Sequence, residues 1–145
     1  MNDDKLSPAY QALKWTYGLV PLLAGLDKFF NLLAHWESYL SPAVAGALPF
    51  SASTFLHLVG VIEMAVGLAV LTRFTRLGAY VAMVWLVLIA GNLVLLGTFD
   101  VAVRDLAMAV GAFTLARMAE VREGVLAAGT APRRASQLPA KGRRA

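Results

Sequence analysis

The chain has 145 residues, 59% of them hydrophobic and only 15% charged, and its mean hydropathy is +0.65. So little charge cannot cover the surface of a soluble domain of this size, whereas a membrane-embedded bundle needs charge only at its ends. Cysteine is absent, which excludes thiolate catalysis, dithiol exchange, iron–sulfur clusters and cysteine-ligated zinc within this chain. The net charge of +4 sits mainly in the C-terminal tail, so no basic reading surface for nucleic acid is expected.

In chain order, residues 1–14 read as a short cytoplasmic N-terminal segment, and residues 15–118 as one domain of four apolar spans at about 15–33, 54–72, 77–97 and 101–118. Each is near the roughly 20 residues that cross a bilayer as helix, where every backbone polar group must find its partner inside the segment. The expected fold is therefore all-α, an integral membrane four-helix bundle. Asp27 and Lys28 interrupt the first apolar run, which argues against a cleaved signal peptide. A longer connection punctuated by Ser41-Pro42 and Pro49-Phe50-Ser51 follows, and reads as a loop or a short interfacial helix. Only Arg73-Phe74-Thr75-Arg76 separates the second and third spans, and only the residues around Thr98-Phe99-Asp100 separate the third and fourth. Links this short force antiparallel neighbours.

If the spans alternate, one side receives Lys5, Lys14, Arg73, Arg76, Arg117, Arg122 and the basic tail, and the other only Lys28 and Arg104. The excess of positive charge predicts both termini in the cytoplasm. Residues 119–145 read as a cytoplasmic tail; apolar periodicity is lost from about Val125, giving a disordered basic segment that lies against anionic lipid. The first partner of the chain is thus the lipid bilayer itself.

Ionisable groups inside apolar spans are costly and require a partner or a function. At 1.5 Å per residue, His57 lies about 5 Å from the outer end of its span, Asp105 about 6 Å, Asn92 about 8 Å, Lys28 about 8 to 12 Å and Glu63 about 13 Å. Four helices thereby contribute to one outer polar band, the predicted ligand-binding set, with Arg104 at its edge. Gly60 and Gly67 share a helical face with Glu63, and Gly25 lies three residues before Lys28. Small residues at such positions let helices approach closely, so Gly25, Gly60 and Gly67 are read as packing positions and Lys28 as the partner of Glu63. Asp100 precedes Arg104 by four residues, the favourable order for a helical ion pair. Asn92 suits interhelical hydrogen bonding. Trp85, one face with Asn92, reads as packing or as the floor of the band. Trp15, Tyr17, Trp36, Tyr39 and Phe99 read as an interfacial aromatic belt. His35 lies too near its span end to pair with His57 as a haem ligand, so neither haem nor a metal site is expected. No residue is assigned a catalytic role.

These residues bring a family resemblance into view. The chain resembles the DoxX family of small four-span membrane proteins through Ala24-Gly25-Leu26-Asp27-Lys28-Phe29, Gly60-Val61-Ile62-Glu63-Met64-Ala65-Val66-Gly67-Leu68, Phe74-Thr75-Arg76-Leu77 and Arg104-Asp105-Leu106-Ala107. The resemblance implies a location in the bacterial cytoplasmic membrane. It also implies functional weight at Gly25, Lys28, Glu63, Gly67, Arg104 and Asp105, and association with quinone-linked redox systems.

The expected function is accordingly an accessory subunit of a membrane redox system rather than an autonomous enzyme. A quinone is the cofactor compatible with the polar band, and Glu63 would exchange its protons. A membrane or soluble redox protein, or a second copy of the chain, would be the partner. Two alternatives stand beside it: a non-enzymatic scaffold in which Glu63 and Lys28 only set helix register, and a small proton-coupled transporter working as an oligomer.

Overall fold

The computed structural model of the protein describes residues 3–130, with side chains over 7–127. Among the described residues there are five α-helices, α1 (Asp3–Asp27), α2 (Pro42–Ala47), α3 (Ala52–Leu71), α4 (Thr75–Leu96) and α5 (Phe99–Thr130), with a 3-10 turn at Trp36–Tyr39. No strand occurs among the described residues. α1 packs chiefly on α3 and α4 on α5, while α3–α4 and α1–α5 contacts join the two pairs. Two of the helices, α3 and α4, are long and apolar enough to cross a membrane. Large apolar side chains also stand exposed on the outer faces of α1 and α5, among them Leu23, Leu26, Val103 and Val110.

Local chemistry sets the helix ends. Ser51 Oγ accepts a hydrogen bond from Thr54 N at 3.2 Å, and Ser41 Oγ accepts from Val44 N at 3.3 Å with Pro42 opening α2; both are N-caps that satisfy otherwise orphaned amides. α4 stops at Gly97, whose φ of 86° suits glycine. There Gly97 N donates to Val94 O and Thr98 N to Leu93 O, each at 3.0 Å, so the terminal carbonyls are satisfied.

Three expectations are revised by these bounds. α1 begins well before Trp15 and stops at Asp27 rather than continuing to Leu33. Its early start is explained by Tyr10, which is buried in the core between the helix pairs together with Val66, Val70, Leu115 and Ala119. Its end is fixed by a turn in which Asn31, at φ 51°, returns its N–H to Asp27 O. Secondly, α5 runs through Thr130, so residues 119–130 are helical instead of tail. Tyr80 Oη donates to Glu120 Oε1 at 2.8 Å and Arg76 pairs with Glu123 at 3.1 Å, tying this extension to α4. The remaining basic tail, from residue 131, lies outside the described residues. Thirdly, Tyr17 is a core residue and not part of a belt: it is 8% exposed and donates to Met108 O at 2.6 Å. Gly111 makes room for that ring, since a Cβ there would collide with the Tyr17 hydroxyl.

Glycine matters most where α1 meets α3. A Cβ on Gly60 would lie 2.6 Å from Gly25 O, and one on Gly67 2.5 Å from Gly18 O, so the two backbones touch with nothing between them. Gly91, by contrast, faces open space. Gly60→Val is therefore expected to lower stability by about 1 to 3 kcal/mol through forced separation of α1 and α3. Gly91→Ala should raise it by roughly 0.5 to 1 kcal/mol by favouring helix. Thermal unfolding of both variants in detergent checks the pair of signs; a Gly60→Val protein as stable as the wild type would refute the close contact.

Candidate functional site

The close approach at Gly25 and Gly60 brings the residue after α1 against the middle of α3. Lys28 Nζ stands 2.6 Å from Glu63 Oε2, and the two side chains are only 5% and 8% exposed. Removing two charges from water is costly, and the cost is offset only when their remaining donors and acceptors are also engaged. Here they are. Trp85 Nε1 donates to the other carboxylate oxygen, Glu63 Oε1, at 3.3 Å, which makes Trp85 part of the site rather than simple packing. The ring of Trp36 lies 3.7 Å from Lys28 Nζ, within range of a cation–π attraction strengthened by desolvation.

Trp36 is in turn held by Asp27, whose Oδ2 accepts from the indole Nε1 at 2.8 Å. The same carboxylate accepts from Leu32 N at 2.9 Å and from Leu33 N at 3.0 and 3.1 Å. Asp27 thus folds the chain after α1 back over the ion pair. Sequence reasoning missed this function of Asp27 and placed Trp36 in a belt. The available signal was an acid adjacent to Lys28 with a tryptophan nine residues on, too little to reveal a return of the chain.

Asn92 works in a different way from the helix–helix contact expected of it. Its Oδ1 accepts from Ser41 N at 2.9 Å and its Nδ2 donates to Tyr39 O at 2.6 Å. It therefore fastens α4 to the connection that precedes α2. Two side chains, Asp27 and Asn92, each clasp one part of that connection.

Beneath it lies a cavity of about 550 Å³, bordered by Lys28, Glu63, Asn92 and Asp105 on its polar side and by aromatic and aliphatic side chains including Trp36, Tyr39, Phe55 and Trp85. That volume and that mixture of walls are those of a small-molecule site. Asp105 differs from its neighbours: among the described residues its carboxylate has neither a hydrogen bond nor an ion pair, although it borders the cavity and is only partly exposed.

Two members of the expected set stand apart. His57 does not border the cavity and instead stacks on Phe29, with ring centroids 4.8 Å apart and planes 2° from parallel. Arg104 is exposed and lies 3.9 Å from Asp100, consistent with a solvated helix start. Among the described residues no cluster of three or more His, Asp or Glu is placed to hold a metal ion. Comparison with protein-family models, curated proteins and solved structures gives no match to this chain.

The packing predicts a sign reversal on paired substitution. Lys28→Met or Glu63→Met alone strands one buried charge and should cost about 3 to 5 kcal/mol, whereas the double replacement should recover most of that loss. Chemical or thermal unfolding of the three variants measures the cycle. Additive losses would mean that the two groups do not depend on each other.

Proposed function

We propose that this chain is a four-span integral membrane protein whose outer cavity receives the head group of a lipid-soluble small molecule, so that it serves as a ligand-holding accessory subunit and not as an autonomous enzyme. In this reading α1, α3, α4 and α5 cross the bilayer, both termini lie in the cytoplasm, and the 28–51 connection covers the cavity at the outer face. Its location would be the bacterial inner membrane, as the DoxX-like motifs imply. Support for insertion comes from the apolar lengths of α3 and α4 and from the exposed apolar faces of the helices beside them, together with the lysines and arginines gathered at the opposite end.

The observation that carries the binding function is the cavity itself, with aromatic walls around a small number of converging polar groups. Glu63 is a poor choice as the group that meets a ligand, because both its oxygens already have partners. The quinone-linked redox role is the narrower form of the proposal. It would place a ring carbonyl near Lys28, the cation at the cavity wall.

A second reading is favoured by one specific observation. Since Lys28 and Glu63 satisfy each other inside the protein, the pair can act solely as a lock that fixes helix register. A scaffold of this kind would retain its function after the paired methionine replacement.

Two measurements test the proposal. Because the chain has no cysteine, single replacements report topology: Gly46→Cys should react with a membrane-impermeant thiol reagent from outside intact cells, and Arg73→Cys only after permeabilisation. Labelling of both from the same side would refute the orientation. Val59→Trp, at a buried position on the cavity wall, should fill the site and at least halve the lipid-soluble small molecule released from purified protein and weighed by mass spectrometry. Equal amounts from both proteins, or none from the wild type, would refute the binding role.

A further inference from the structure

The charged side chains that border the cavity are Lys28, Glu63 and Asp105. Lys28 and Glu63 neutralise each other at 2.6 Å, which leaves one carboxylate uncompensated. Its neighbour in sequence, Arg104, does not supply the balance: it is 73% exposed, faces Asp100 and does not border the cavity. A net negative charge in a low-dielectric, largely apolar space attracts either a proton or a cation, and it repels an anion.

The two indole donors and the Asn92 amide at the site already have acceptors, while the carboxylate without a partner among the described residues is Asp105. Trp85 Nε1 is directed at Glu63, Trp36 Nε1 at Asp27 and Asn92 Nδ2 at Tyr39 O. A ligand that brings negative charge, such as a carboxylate or phosphate, meets the Asp105 carboxylate as a like charge. One that brings a positive charge meets in the same cavity the Asp105 carboxylate and the aromatic side chains of Tyr39, Phe55 and Trp85. Aromatic faces carry negative charge density and suit weakly hydrated organic cations. Trp36 already plays that part toward the Lys28 ammonium.

We propose that the cavity selects an amphiphilic monocation, a substituted ammonium group bearing an apolar tail, whose charge is balanced by Asp105 and whose substituents rest on the aromatic wall. The proposal rests on the cavity being a ligand site and adds the charge class of the ligand. Asp105 is then the residue that sets specificity, and the Lys28–Glu63 pair is the fixed polar floor against which the head group is placed.

The test uses the full chain in lipid nanodiscs, with tryptophan fluorescence as the readout, since Trp36 and Trp85 border the cavity. Three probes are titrated against protein-free discs as reference: dodecyltrimethylammonium, its uncharged tert-butyl isostere of the same chain length, and a decyl-substituted benzoquinone. The wild type should bind the cation saturably and about tenfold or more tighter than the isostere. Asp105→Asn should abolish that preference while leaving affinity for the isostere within about twofold, Asp105→Glu should keep it, and Arg104→Gln should change nothing. A wild type that binds cation and isostere equally, or an Asp105→Asn protein that keeps the preference, overturns the charge assignment while leaving the cavity a ligand site. Tighter binding of the benzoquinone than of the cation does the same. If none of the three binds saturably, the ligand-holding function fails with it. Should Asp105→Asn not fold, the wild-type ratio of cation to isostere decides alone.

Discussion

The contact between Gly25 and Gly60 is the constraint on which the site depends. With a side chain at either position α1 and α3 would stand further apart, and Lys28 could no longer reach Glu63 at 2.6 Å. Charge then completes what close packing begins. A buried carboxylate demands a partner, the ammonium that answers it is covered by Trp36, and Trp36 is positioned by Asp27. Backbone approach, ion pair and loop path form one chain of dependence.

That chain explains why a cavity persists here. The connection between α1 and α3 crosses the end of the molecule, held by Asp27 near its start and by Asn92 near its middle. Spanning the gap between these clasps, it leaves space above the ion pair that aromatic rings border without filling. A space of about 550 Å³ with a carboxylate on its wall is the feature on which the proposed ligand-holding role rests. The same geometry moves attention from Glu63 to Asp105. Glu63 anchors the architecture, and the carboxylate on the cavity wall without a partner among the described residues is Asp105.

Much of the helical framework could be read from sequence, for physical reasons that also mark the limits. α3 and α4 stood out because nearly every position is apolar and the turn between them is short. The Lys28–Glu63 contact was legible because glycines at helical spacing identified the touching faces, and a buried acid there required a cation. What escaped was tertiary. Asp27 acts on amides and an indole five to nine residues away, and Asn92 binds main-chain groups more than fifty residues earlier. Neither leaves a periodic trace. Tyr17 was mistaken for a boundary residue because an aromatic near a span end resembles a belt, whereas the missing side chain at Gly111 lets it enter the core. The helical extension of α5 was hidden by its charges, of which Glu120 and Glu123 engage Tyr80 and Arg76 on α4.

The central claim is that the space above the Lys28–Glu63 pair is a binding site and not a packing defect. An experimental density map of the protein crystallised from a lipid mesophase tests it most directly. The account predicts continuous non-protein density between Trp85 and Asp105, with Lys28 and Glu63 still paired beneath it. A cavity closed by rearranged side chains, or one holding only water with Lys28 turned from Glu63 to Asp105, would contradict it.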